Sequence, residues 1–319
     1  MHATSFHAMG SKIAVTVDGD GPNVRAALRE ARTWFLAWEA CLSRFRPESE
    51  LNQLNRGQPM QVSRPLWDVL QAACAIARLT NGLITPTILP ALEAAGYKET
   101  FRQSGSQTTH VAAQYPLPMS GKETGALPYP ASEMQTDAAT RTVCLPQGMR
   151  LDFGGFAKGW AADETARRLS KIAPTLVDAG GDVAASGPRT DGTPWPLGVA
   201  HPTNPGHHLA ILQLHDGGLA TSGRNQRHWV KNGRPQHHLI DPRSGRPAIT
   251  DVITASVVAT SALAAETAAK MALILGSQAG EKWLQAHGLS GMLALEDGNV
   301  RSIPAAAPPF TTQAQQRER

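Results

Sequence analysis

Between residues 24 and 45 the apolar side chains recur at 24, 27/28, 31, 34/35, 38, 41/42 and 45, a helical period kept along the whole segment. A helix carrying one apolar stripe of that length must be covered by a second layer of structure. Trp34 and Trp38 lie one turn apart on the stripe and read as core side chains. Residues 12–17 alternate like a strand and stop at Asp18-Gly19-Asp20-Gly21-Pro22. A second helix is expected over 66–79, ended by Asn81-Gly82. The second half alternates β-like runs (176–183, 209–214, 253–260) with helical ones (158–169, 261–275, 281–287). Residues 292–295 and 300–303 flank Asp297-Gly298, a preferred hairpin dipeptide. No fixed repeat or clean linker divides the chain, so residues 1–303 read as one α/β domain. Residues 100–135, rich in Gln, Ser, Thr, Gly and Pro, read as a surface insertion before a strand near 142–145. Residues 304–319 read as a disordered tail.

Composition narrows the function classes. No stretch approaches the ~18–20 consecutive apolar residues that span a bilayer. The first seven residues carry neither a basic region nor an apolar one, so a cytoplasmic location is expected. Thirty Lys and Arg against 26 Asp and Glu leave a net charge of +4, scattered without a run, and aromatics make up only 5%. A nucleic-acid binder would concentrate that charge, whereas a weak positive bias suits an anionic small molecule. Cys41, Cys74 and Cys144 form no CxxC pair. Cys41 and Cys74 fall on apolar helical faces and read as small buried hydrophobes.

Four clusters join glycine to polar residues where a packed core wants neither. Asp152-Phe153-Gly154-Gly155-Phe156-Ala157-Lys158-Gly159 leads into a helix, where glycines let backbone N–H groups approach an anion and the lysine adds charge. Its spacing is that of neither a P-loop nor a dinucleotide fingerprint, so a plain loop before a helix reads equally well. Asp178-Ala179-Gly180-Gly181-Asp182 is a strand entering a double-glycine turn between carboxylates. Thr221-Ser222-Gly223 is small enough to crowd a flat ligand. In His237-His238-Leu239-Ile240-Asp241-Pro242-Arg243-Ser244-Gly245, a histidine precedes a turn that fixes its direction and supplies a carboxylate. His237 competes with His238 for that role, and the rest is also an ordinary β-turn.

In this order the clusters resemble the ApbE family of FAD:protein FMN transferases, from Met9 to about Leu284. Met9-Gly10-Ser11 matches the family's MGT start, and the segment from Ser43-Arg44-Phe45 to Ser49-Glu50-Leu51 matches SxYxxxSEL. Gly82-Leu83-Ile84-Thr85-Pro86-Thr87 matches GxFDPT. The four clusters match DLGGIAKG, DAGGD, TSG and HIIDPRTG. The resemblance implies an α+β (T-fold-like) domain with antiparallel sheets flanked by helices and FAD in a cleft between lobes. It implies transfer of the FMN half of FAD, through a phosphoester, to a Thr or Ser of an acceptor flavoprotein, with release of AMP. The alternatives are an FAD-binding protein without transfer and an FAD pyrophosphatase that uses water. A Rossmann oxidoreductase is disfavoured, since no strand–GxGxxG–helix unit is present.

Carried over residue by residue, His238 would take the acceptor proton with Asp241 orienting it. Asp152 and Lys158 would contact the flavin nucleotide, Lys158 at phosphate. Met9, Phe45, Leu83, Ile84 and Thr85 would wall the isoalloxazine or adenine, joined by Thr221, Ser222, Gly223, Leu239 and Ile240. Family members hold Mg²⁺ with an Asp and a Thr four residues later on the last long helix, helped by a backbone oxygen of the glycine-rich turn. Here those positions are Glu266 and Lys270, with Gly155 supplying the oxygen. A protonated lysine cannot ligate Mg²⁺. Its ammonium would instead occupy the ion's place and act as a catalytic cation paired with Glu266, unless the two form an ordinary surface ion pair. Thr85 replaces a family Asp and Phe45 a usual Tyr.

Overall fold

The chain opens with a hairpin in which β1 (His2–Ala8) turns through Met9-Gly10 into β2 (Ser11–Val17). Ala8 pairs with Ser11, and both loop residues have positive φ, 52° and 68°, as the two-residue turn between twisted strands demands. Gly10 adopts that backbone freely. Met9 is held in it at a cost of about 1–2 kcal/mol. The computed structural model describes residues 1–98, 125–304 and 310–312, so most of the expected 100–135 insertion lies outside the described residues.

The long apolar stripe forms α1 (Pro22–Leu42), whose Val24, Ala27, Leu28, Ala31, Phe35, Trp38 and Leu42 are buried. The helix ends at Leu42, and Phe45 lies in the loop beyond it. α2 (Glu50–Leu54) and β3 (Met60–Gln61) follow, then α3 (Arg64–Leu79) and α4 (Leu89–Ala95). The small strands β4 (Gln135–Asp137) and β5 (Thr142–Cys144) pair with β3 in a minor sheet.

α5 (Ala157–Leu169) leads to β6 (Thr175–Ala179) and β7 (Asp182–Ser186). The run 176–183 is two strands, for the chain reverses at the double-glycine turn Gly180-Gly181, both at positive φ, and Asp178 pairs with Val183. β8 (Trp195–Ala200), β9 (His208–Leu214) and β10 (Gly217–Gly223) come next. Two hairpins, β11 (His228–Lys231) with β12 (Arg234–His237) and β13 (Ile240–Asp241) with β14 (Arg246–Pro247), precede β15 (Val252–Ala259). α6 (Ala262–Leu275), capped by Ser261, and α7 (Ser277–Ala286) lead to the hairpin of β16 (Ser290–Leu295) and β17 (Val300–Ile303). Within the tail expected to be disordered, β18 (Phe310–Thr312) pairs with β9, because that edge offers unpaired backbone groups.

The main sheet has eight strands in the order β1-β2-β6-β7-β10-β15-β16-β17, with every pairing antiparallel. One core lies between this sheet and α1, α3 and α5, and a second lies under α6 and α7. α5 and α6 cross closely at Gly159, where a Cβ would come within 2.8 Å of the Leu263 Cα and of the Glu266 Oε2. Asp163 on α5 accepts the first N–H groups of α6, from Ala262 and Leu263, at 2.7 and 3.0 Å. Among the described residues no helix is long and apolar enough to cross a membrane.

Candidate active site

The loop before α5 is organised by Asp152. Its N–H donates to the Pro86 carbonyl and its Oδ1 accepts the Gly154 N–H, both at 2.8 Å. Its Oδ2 lies 2.7 Å from the Arg44 Nε; the Nε–H is not aligned on it, so the contact is a close ion pair rather than a hydrogen bond. Arg44 donates instead from Nη2 to the Tyr97 carbonyl, at 2.8 Å. Its guanidinium carbon sits 4.1 Å from the centre of the Phe45 ring and 4.6 Å from that of Tyr97. Tyr97 in turn stacks on Trp229 at 5.4 Å and meets His238 edge-on at 6.5 Å. The β11–β12 hairpin is held there because the Trp229 indole N–H donates to the Ala95 carbonyl at the end of α4, at 2.9 Å.

The crossing of α5 and α6 buries a charged tetrad. The Lys270 ammonium donates to Glu266 Oε1 at 2.6 Å and to the Gly155 carbonyl at 2.7 Å. Glu266 Oε2 accepts the Gly159 N–H at 3.3 Å. Lys158 donates to Asp182 and lies 3.9 Å from Glu266 Oε1. Glu266 is only 3% exposed, so this is no surface ion pair. Burial pushes the Lys158 ammonium down to about 8 against the pull of Glu266, and it lowers Lys270 too. Burial alone would raise Glu266; the two lysines outweigh it and leave its pKa lowered.

A Mg²⁺ ion does not fit this arrangement. The two donors the sequence offered it, Glu266 and the Gly155 carbonyl, are both taken by the Lys270 ammonium. Among the described residues no group of three His, Cys, Asp or Glu side chains converges to hold a metal.

His238 is the titratable ring of the site. Its Nδ1 lies 3.3 Å from the Arg227 carbonyl. A carbonyl only accepts, so Nδ1 carries the proton and Nε2 keeps its lone pair. Burial first, then the Arg227 charge, holds the ring well below its ordinary value, and it is neutral near pH 7. His237 has both nitrogens engaged: Nε2 on the Ala248 carbonyl at 3.1 Å and Nδ1 accepting the Leu239 N–H at 3.3 Å. Burial pushes His237 down to about 4.

One cavity of about 390 Å³ gathers these groups. From the first half of the chain come Met9, Phe45, Leu83, Ile84 and Thr85. From the second come Asp152, Gly155 and Lys158, the Thr221-Ser222-Gly223 end of β10, His238-Leu239-Ile240, and Glu266 with Lys270. Asp241 is not among its lining. The Asp241 carboxylate accepts the Arg243 backbone N–H at 2.9 Å and its guanidinium at 2.7 Å, so the carbonyl of Arg227, not Asp241, holds the His238 ring. Arg44, Tyr97, Asp182 and Arg227 also line the cavity, and sequence reasoning gave none of them a role. Arg44 and Asp182 stand inside motifs already singled out. Tyr97 and Arg227 carry no local signal.

The ApbE family model matches residues 9–293. The chain belongs to the ApbE family. The FAD:protein FMN transferase of Salmonella typhimurium is 25% identical over 303 residues, covering 91% of this chain and 83% of that protein. That of Treponema pallidum is 28% identical over 310 residues, covering 88% and 80%. Among solved structures, the ApbE protein of Thermotoga maritima superposes with a TM-score of 0.77 at 25% identity, over 94% of this chain and 96% of that one. The α+β architecture with antiparallel sheets and flanking helices is thus the ApbE fold.

Proposed function

We propose that this chain transfers the FMN half of FAD to a Ser or Thr hydroxyl of an acceptor flavoprotein and releases AMP. The carrying observation is His238, neutral and with Nε2 unengaged among the described residues, in one cavity with an aromatic wall and a buried set of cations. Family relatives named FAD:protein FMN transferase support the same reading. In the step itself, the acceptor oxygen attacks the phosphorus on the FMN side of the pyrophosphate. The bond from that phosphorus to the bridging oxygen breaks, and AMP carries the bridging oxygen away. His238 Nε2 takes the hydroxyl proton. Phe45 and Tyr97, with Arg44 against both rings, suit the flat face of a flavin or adenine.

Lys270 holds the place of a resident cation. It ties the Gly155 carbonyl to Glu266 and keeps a third N–H for a phosphate oxygen. The test mixes the protein, FAD and an acceptor flavoprotein domain, with Mg²⁺ or with EDTA, and weighs the acceptor by intact mass. An FMN-sized gain in both conditions is expected. A gain only with Mg²⁺ would refute the lysine's role and leave the transferase standing. FMN released without an acceptor would identify a pyrophosphatase, and FAD bound but never cleaved a binding protein.

A further inference from the structure

Five cationic side chains line the cavity: Arg44, Arg46, Lys158, Arg227 and Lys270. Four carboxylates line it with them: Glu39, Asp152, Asp182 and Glu266. Each carboxylate is matched to a cation. Glu39 lies 3.2 Å from Arg46 and Asp152 2.7 Å from Arg44. Asp182 pairs with Lys158, and Glu266 lies 2.6 Å from Lys270. Arg227 is left over. Among the described residues its guanidinium has no carboxylate and no hydrogen-bond acceptor, although its carbonyl is used twice by His238, through N–H and Nδ1.

We propose that the Arg227 guanidinium binds the phosphate oxygens of the flavin nucleotide and supplies the cavity's uncompensated positive charge. The inference rests on the transferase reading, for it names the group that meets the anionic part of that substrate. A pyrophosphate diester carries a negative charge on each phosphate. A lysine already paired with a carboxylate can donate a hydrogen bond to it but brings little net field. A dication seated on Glu266 would leave one net positive charge at that point, whereas the Lys270 ammonium leaves none. Arg227 supplies the missing unit, in a planar fork suited to two oxygens at once. Its field reaches the right groups, since it lowers the pKa of Lys158, Lys270 and His238 alike. One residue would thereby fix the base through its carbonyl and the leaving-group region through its side chain.

The test is equilibrium titration of FAD and of riboflavin, which lacks phosphate, into the wild type, Arg227→Gln and Arg227→Lys. Glutamine keeps the backbone carbonyl that holds His238. Arg227→Gln should weaken FAD by about 10- to 100-fold, the loss of a charge-assisted contact. Riboflavin should bind it as it binds the wild type, and Arg227→Lys should recover part of the FAD affinity. The salt dependence of FAD affinity should flatten in Arg227→Gln. Unchanged FAD affinity overturns the proposal, as does an equal loss for riboflavin, which would mark a structural role. Unchanged FAD affinity with a raised KM for the acceptor would move the guanidinium to the acceptor side, and overturns it too. A wild type that binds FAD through Arg227 yet flavinylates nothing would sink the transferase reading alone.

Discussion

Two adjacent histidines divide the labour at residue scale. His237 spends both nitrogens on backbone groups, while His238 spends one and faces the cavity. His238→Ala should therefore lower transfer by about 10²- to 10⁴-fold, the usual worth of a positioned base, with FAD still bound by titration. His237→Ala should lower thermal stability and leave the chemistry largely intact. The pH profile follows from burial. Because His238 is held well below its ordinary 6.5, its neutral form persists as pH falls through that value. The acid limb of kcat/KM, which reports the free enzyme, should lie below pH 6.5 in wild type. A limb centred at or above the ordinary histidine value would exclude His238 as the base. The motif around Asp241 drew attention to His238, but the Asp241 carboxylate is bound to Arg243 and does not hold the ring. A turn's own arginine, two residues on, competes for the carboxylate, and the carbonyl that wins comes from eleven residues upstream. No sequence spacing reports that.

At the scale of elements, the periodic segments were the legible ones. α1, α3, α5, α6 and α7 all stand where apolar recurrence put them, within a few residues. What the sequence hid were short elements whose burial is set by tertiary neighbours: β1, α2, α4, β8, β10 and the paired hairpins of β11 to β14. β10 is the clearest case. Its Gly217-Gly218-Leu219-Ala220-Thr221-Ser222-Gly223 has weak strand propensity, and it is a strand because β7 and β15 flank it. The close crossing of α5 and α6 gives a direct prediction. Gly159→Ala would set a methyl 2.8 Å from the Leu263 backbone and from Glu266, forcing the helices apart at the tetrad. The variant should lose about 1–3 kcal/mol in denaturant unfolding and lose transfer activity with it. A variant as stable and active as wild type would show the crossing to be slack.

The cap of α7 makes a separate prediction. Asp251 accepts the Ser277 N–H at 2.9 Å and the Ser277 hydroxyl at 2.5 Å. Desolvation raises this carboxyl, but the Ser277 bonds outweigh it and leave its pKa below 3.8. A depressed folded pKa means stability that is present above the unfolded value and lost as pH falls through the folded one. Asp251→Ala should cost about 1 kcal/mol near pH 7, as loss of a cap does. The gap from wild type should close under acid conditions, and a gap independent of pH would contradict the assignment.

At the scale of the whole molecule, the cavity is assembled from both halves of the chain, and each of its carboxylates is paired with one of the chain's own cations. Met9, Phe45 and Leu83–Thr85 come from one half, the tetrad and His238 from the other. A ligand that touches both should stabilise the fold by linkage, by about 2.7 kcal/mol at a hundred times its Kd. FAD should raise Tm by roughly 5 °C on that basis, since one kcal/mol is worth a few degrees in a chain this large, and EDTA should not diminish the rise. The sharper test replaces the built-in cation. Lys270→Thr removes the ammonium from between Glu266 and the Gly155 carbonyl and leaves a buried carboxylate with Lys158 as its remaining cation. Such a loss is strongly destabilising, because the charge stays buried without its partner. Threonine, unlike lysine, offers an oxygen to a divalent ion. The variant should melt earlier than wild type in EDTA and regain stability in Mg²⁺, while wild type responds to neither. If Mg²⁺ stabilises wild type as much as the variant, the ammonium does not hold the ion's place, and the charge balance drawn for this cavity is wrong.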